Sequence, residues 1–269
     1  MSKLPLGKAT EYPQQYAPGL LFAVARADAR EPLGLSGDLP FHGKDTWNAW
    51  ELTWLDSRGQ PRVAIATFQF DASSPNIVES KSLKLYLGSF AMTRIASDTE
   101  LVNTLANDLG AIAGAPVGVG ISHCADANFR EIGNMPGACV DQMPMARWPG
   151  RVDPDLLKTG KETVTETLHS HLLRSLCPVT SQPDMGSVMI HYRGTRIDPV
   201  SFLEYVVSFR QHEDFHETCV ERMYLDLRKH CQPDELTVYA AYNRRGGIDI
   251  NPFRSNFENE PPIGRLWRQ

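Results

Sequence analysis

The chain is poor in cysteine, and the five it has (Cys124, Cys139, Cys177, Cys219, Cys231) are scattered, with no CxxC pair. An odd, dispersed set does not build a disulfide framework; it suits a reducing compartment, where most thiols are small buried apolar groups. Long hydrophobic runs are also missing. The longest, residues 19–25, is far short of the roughly 20 residues a membrane span needs. Residues 1–8 show no extended apolar region leading to a small-residue cleavage site, so no secretory leader is expected. Positive charge is not in excess: 27 Lys and Arg stand against 32 Asp and Glu, a formal charge of −5. A protein whose main business is gripping nucleic acid usually carries a basic surface. No GxGxxG follows a strand-like segment, so a Rossmann nucleotide site is not indicated. What remains is a cytoplasmic protein that binds small ligands, with no membrane and no direct nucleic acid partner.

The apolar fraction of 42% and charged fraction of 22% are those of an ordinary globular chain, and 269 residues suggest between one and two domains. Residues 50–55 and 62–70 are rich in β-branched and aromatic residues, with turn chemistry between them, and read as a hairpin. Helical spacing follows over 77–90, then from Ser97 or Asp98 through Leu101, Leu105 and Leu109, and residues 117–122 read as a strand. The second half repeats the order. Strands are expected at 162–169 and 187–192, helices at 199–209 (capped by Asp198) and 215–229, and a final strand at 235–242. The repeated order β, β, α, α, β predicts an α+β tandem duplication. Its expected parts are an N-terminal module over residues 1–135, a Pro- and Gly-rich linker over 136–160 and a C-terminal module over 161–269. Antiparallel strands with helices on one face form an incomplete layer, so assembly of modules and of chains is expected, with sites at unit interfaces.

Four constellations can carry chemistry. Cys177-Pro178 is held out of helix by the proline, and Asp184 follows after Pro183. A thiol acting as a nucleophile needs a base nearby, which Asp184 can supply; a buried cysteine and a turn aspartate is the plainer reading. The stretch from His212 to Glu217 contains HExxH, yet it falls at an inter-helix turn where the one-face geometry of a zinc site is not expected. There His216 and Glu217 can instead face a flat heterocycle, with Glu217 accepting two N–H donors. Asn76 and Glu79 fit a capping box, while Lys81 and Lys84 share a helix face beside Ser80 and Ser82, which suits phosphate groups or simply solvent. Arg244-Arg245-Gly246-Gly247 forms a loop in which arginine can hold phosphate and glycine permits close approach.

Taken together, these segments carry a resemblance. Glu79-Ser80-Lys81-Ser82-Leu83-Lys84-Leu85-Tyr86 resembles the signature of the NADPH-dependent 7-cyano-7-deazaguanine (preQ0) reductases, the nitrile reductases of queuosine biosynthesis. Cys177-Pro178 through Asp184-Met185-Gly186, and Phe215-His216-Glu217, resemble that family's catalytic and substrate-binding stretches. The layout is that of its longer, two-module subgroup. The resemblance implies two tunnelling-fold (T-fold) ββααββ modules, although only one strand is legible after the helices in each half. It also implies a homodimer, two NADPH per turnover and no metal. By the same resemblance, Cys177 is the nucleophile that forms a thioimide and Asp184 the proton donor. Val78, Glu79, Ser80, His216 and Glu217 are the implied substrate contacts, and Ser80, Lys81, Arg245 and Gly246 the cofactor contacts. A cysteine nitrilase, a zinc hydrolase and a non-catalytic scaffold of the same fold are the competing readings.

Overall fold

In the computed structural model the described residues are 13, 15–123, 125, 132–261 and 265–269; Cys124, expected to be structural, lies outside them. The chain divides into two compact units, with bounds Met1–Asp38, Lys44–Phe129 and Arg244–Asp249 for one and Leu39–Gly43, Arg130–Asn243 and Ile250–Gln269 for the other.

The first unit's elements are β1 (Ala23–Ala25), α1 (Arg26–Arg30), β2 (His42–Leu55), β3 (Pro61–Asp71), β4 (Asn76–Val78), α2 (Ser80–Gly88), α3 (Asp98–Ala113) and β5 (Val117–His123). Its sheet runs β5-β3-β2, all antiparallel. The expected hairpin is present. Its turn closes on Asp56, whose Oδ1 accepts the backbone N–H groups of Arg58 and Gln60 at 2.9 Å each. Those bonds, with Arg62, hold the Asp56 carboxyl down to about 2. β2 starts well before the expected residue 50, because buried polar positions such as Asp45 and Asn48 conceal its alternation. Asp45 is paired with Arg26 at 2.6 Å. α3 follows the expected stripe: Leu101, Leu105 and Leu109 are fully buried, and Ser97 Oγ accepts the Glu100 N–H.

The second unit holds β6 (Ile132–Gly133), β7 (Ala138–Cys139), β8 (Thr159–Leu176), β9 (Pro183–Ile197), α4 (Pro199–Ser208), α5 (His216–His230), β10 (Glu235–Tyr242), β11 (Ile248–Ser255, whose first two residues are counted with the first unit) and β12 (Arg265–Leu266). Strand order is β11-β10-β9-β8-β7. The ladders joining β8 through β11 are antiparallel, whereas the short β7 lies parallel to β8. Asp198 caps α4 by accepting the Ser201 N–H at 2.8 Å, with Pro199 in the first turn. This half therefore reads ββααββ. The expectation of a single strand after its helices is corrected by β11, all eight residues of which are buried. Asp249, Asn251 and Pro252 give that segment the composition of a loop, and proline is normally confined to sheet positions that need no N–H. Residues 136–160, expected as a linker, carry β7 and a 3-10 turn at Pro154–Leu156 and belong to the second unit. Among the described residues no helix is long and apolar enough to cross a membrane.

Candidate active site

The Cys177 group is built by one hairpin and one helix start. The β8–β9 ladder pairs Leu176 with Pro183 and Ser175 with Asp184. Asp184 is thus a strand residue, not part of the expected loop. Beyond the ladder, Cys177 N–H donates to the Gln182 carbonyl and Ser181 N–H to the Cys177 carbonyl, each at 2.9 Å. Ser181 adopts φ 53°, a left-handed conformation that costs a serine free energy and is held by the closed turn. In an antiparallel ladder, opposed residues share a face and so do residues two apart on one strand. Cys177, Ser175 and Asp184 therefore belong to one face of the hairpin. Both candidate groups are buried, at 8% and 7% exposure for Cys177 and Asp184.

A second segment is stitched alongside. Leu176 N–H donates to the His212 carbonyl at 2.8 Å and Asp214 N–H to the Leu176 carbonyl at 3.1 Å. Ser181 Oγ donates to Glu213 at 2.8 Å. This docking delivers the first turn of α5. His216 Nε2 sits 3.4 Å from Asp184 Oδ2, and Glu217, buried, occupies the next position, where a helix N-terminus favours negative charge. The His216 ring lies 4.0 Å from that of Tyr242, centroid to centroid. Tyr242 opposes Gly186 in the β9–β10 register. A Cβ on Gly186 would come within 3.1 Å of the Ala241 carbonyl oxygen and of the Tyr242 ring, so glycine is what lets the tyrosine seat there. Burial drives the Tyr242 hydroxyl far above its usual pKa. His212 and His216 do not share a helical face: His212 is extended, after α4 and its 3-10 extension end, and α5 begins at His216. The HExxH pattern therefore lacks its metal-binding geometry.

The signature group lies in the first unit. Val78 pairs with Ala23, and Glu79 caps α2, its carboxylate accepting Lys81 N–H at 2.8 Å and Ser82 N–H at 2.7 Å. The expected capping box with Asn76 does not form, because Asn76 is in β4 and its amide donates to the Ile112 carbonyl. Ser80 and Lys81 open α2, with Lys84 one turn on. Across from them, Arg245 N–H donates to the Ile248 carbonyl at 2.9 Å, and Gly246 and Gly247 take φ of 62° and 82°. A Cβ on Gly246 would meet Lys84 Cε at 3.1 Å, which brings the Arg245-Gly246 turn onto the Lys81–Lys84 face. Arg244 stacks 4.8 Å over the Trp50 ring, and Asp249 accepts from both the Trp50 indole and, at 2.7 Å, the Asn48 amide. Two positive φ glycines, arginine and lysine at a helix start make a cradle whose chemistry fits a phosphate-bearing dinucleotide.

The second unit thus brings Cys177, Asp184, His216 and Glu217 together. The first gathers Val78, Glu79, Ser80, Lys81, Arg245 and Gly246. Sequence reasoning missed Tyr242, which strand register reveals, and Trp50, which its contacts with Asp249 and Arg244 reveal; Lys84 carried a signal in its three-residue spacing from Lys81.

The family described as nitrile reductase, 7-cyano-7-deazaguanine-reductase N-term matches residues 12–121. A second, described as QueF-like protein, matches residues 183–261. The NADPH-dependent 7-cyano-7-deazaguanine reductase of Bordetella parapertussis is 52% identical over 97% of this chain and 96% of its own length. That of Burkholderia lata is 52% identical over 96% and 95%. A solved archaeosine synthase QueF-Like, in the apo form, covers 38% of the chain at 16% identity and a TM-score of 0.32, too slight a likeness to add to this. On the strength of these near full-length matches, the chain belongs to the NADPH-dependent 7-cyano-7-deazaguanine reductase family of nitrile oxidoreductases.

Proposed function

We propose that this chain reduces the nitrile of preQ0 to the aminomethyl group of preQ1, in the cytoplasm, as a step of queuosine biosynthesis that precedes any contact with tRNA. The observation that carries the reading is the 52% identity over nearly the whole length of reductases bearing that name. Converting C≡N to CH2NH2 takes two hydrides and two protons. NADPH supplies hydride, so two molecules are consumed per turnover. Cys177 gives its thiol proton to Asp184 and adds through sulfur to the nitrile carbon, and the same proton passes on to the nitrogen, giving a thioimide, whose C=N accepts hydride more readily than a nitrile. Asp184 is the proton donor to that nitrogen, and its contact with His216 holds the carboxyl on the thiol's side of the hairpin. After the first reduction the C–S bond breaks to release an imine, which the second hydride and a proton convert to the amine. Burial of Cys177 and Asp184 supports the exclusion of water that an imine requires.

His216 and Glu217 are proposed as substrate contacts in the second unit, and Val78, Glu79 and Ser80 in the first. Each Glu79 oxygen already accepts one backbone N–H and keeps a second lone pair for a ligand donor. Ser80, Lys81, Arg245 and Gly246 are proposed to hold NADPH, with lysine and arginine suited to its 2′-phosphate. The 1–135 and 161–269 modules are read as duplicated T-folds, and the working form as a homodimer. The test is incubation with preQ0 alone, with intact mass read for a covalent adduct, followed by addition of NADPH and measurement of its absorbance loss. No adduct and no NADPH oxidation would overturn the reading. Asp184→Asn keeps the shape but cannot donate the proton, so kcat should fall by about 10²- to 10⁴-fold with the adduct mass diminished or slow to appear. Full turnover in that variant would remove Asp184 from the acid role.

A further inference from the structure

We propose that Cys139, His169 and His171 form a divalent-cation site of the zinc class, separate from the nitrile chemistry, which fastens the segment carrying β7 to β8. The three can each offer one ligand atom, and those atoms lie within 4.8 Å of one another. The placement follows from the ladder: Cys139 on β7 is the register partner of His169 on β8, and His171 is two residues further along β8, its ring centroid 5.1 Å from that of His169.

What distinguishes the cluster from a chance meeting of rings is the way both imidazoles are held by their far nitrogens. His169 Nδ1 lies 2.9 Å from the Pro136 carbonyl oxygen, an acceptor only, so this nitrogen carries the proton and Nε2 keeps its lone pair. His171 Nδ1 lies 2.8 Å from Ser187 Oγ. A histidine that binds a metal characteristically donates its other ring N–H to a carbonyl, carboxylate or hydroxyl, which fixes both tautomer and ring angle. The backbone is held as well. Asp141 accepts the His171 N–H at 3.1 Å and 3.2 Å through its two oxygens, and Ser170 Oγ at 2.7 Å. His169 is buried while Cys139 is exposed, so the cluster is anchored inside and open to an entering ion.

Zinc–nitrogen bonds of about 2.0–2.1 Å and zinc–sulfur bonds of about 2.3 Å set tetrahedral ligands roughly 3.3–3.6 Å apart. Binding draws the three ligand atoms in from within 4.8 Å of one another to that spacing. On binding, the S–metal bond replaces the S–H bond and that proton leaves to solvent; no oxidation is involved. One tetrahedral position is left for water.

The test uses the full-length chain stripped by a chelator and titrated with Co2+, with Zn2+ then used to displace it. One equivalent should bind, with a sulfur-to-cobalt charge-transfer band in the near ultraviolet that Zn2+ abolishes. Cys139→Ala, at an exposed position that leaves the fold intact by circular dichroism, should lose the band; Cys177→Ala should keep it. Ser187→Ala should weaken uptake about 10- to 100-fold. No stoichiometric uptake, a band that survives Cys139→Ala or one that disappears with Cys177→Ala would overturn the site. An unchanged affinity in Ser187→Ala would overturn the assigned role of His171.

Discussion

Cys177→Ala should give a folded chain that forms no adduct with preQ0 and whose NADPH oxidation falls by on the order of 10⁴-fold or more, the scale seen when a covalent nucleophile is removed. The size of the effect comes from the chemistry. Without sulfur on the nitrile carbon, hydride must attack an unactivated triple bond, and nothing else in the cluster can make a C=N acceptor. Asp184, His216 and Glu217 stay in place in the variant, so binding is retained while chemistry stops; the loss should therefore sit in kcat and not in substrate affinity. The fold should survive, because main-chain bonds between Cys177, Ser181 and Gln182 hold the turn and the substitution leaves them in place. Peptide mapping of the wild-type adduct gives a sharper check. Cys219 is fully buried with its thiol pushed up by desolvation, and Cys231 is raised to about 12 for the same reason, so neither competes as a thiolate. An adduct mapped to any residue other than Cys177, or turnover that persists in Cys177→Ala, would sink the mechanism.

How much of this could be read from the chain alone depended on whether the signal was local. The α3 stripe, the Asp198 and Ser97 caps and the Asp56 turn are local, and each is present where periodicity or capping chemistry put it. The failures share a cause. β11 has the composition of a loop, and the start of β2 is polar, because their buried polar groups are satisfied by residues far away in sequence, such as Asp249 by Asn48 and Trp50. Asn76 and Glu79 looked like a capping box until β4 took Asn76 into a strand, leaving Glu79 to cap by itself. At the site, residue types and spacing made Cys177 and Asp184 candidates, and their roles came from the family resemblance. Types and spacing gave no sign that a hairpin register puts the two on one face, nor that Gly186 is small to admit the Tyr242 ring behind His216. The Gly186–Tyr242 pairing joins residues more than fifty apart, and a window along the sequence does not contain both.

Glu221→Leu should destabilise the protein by about 3–5 kcal/mol, the cost of leaving a buried charge without its counter-ion. Arg254 is fully buried on β11 and Glu221, on α5, is 2% exposed. The guanidinium reaches Glu221 Oε1 from Nε at 3.0 Å and from Nη2 at 2.9 Å, donates from Nη1 to the Phe253 carbonyl at 2.9 Å, and lies 5.6 Å over the Phe41 ring. Desolvation of both ions makes the pair a poor source of net stability, yet removal of either partner is severe, so the double variant Glu221→Leu with Arg254→Met should recover much of the loss. Urea unfolding measures both, and because the pair is shielded from solvent, the penalty should change little with added salt. There is a consequence for the site. Glu221 is four residues after Glu217 and so shares its side of α5. The ion pair therefore anchors the side of α5 on which Glu217 lies, one residue from His216. Under conditions where the Glu221→Leu variant is still folded, its substrate affinity should weaken, and the double variant should restore stability more fully than affinity. A single-variant cost below about 1 kcal/mol would show that Arg254 finds other compensation and that the pair does not set the position of α5.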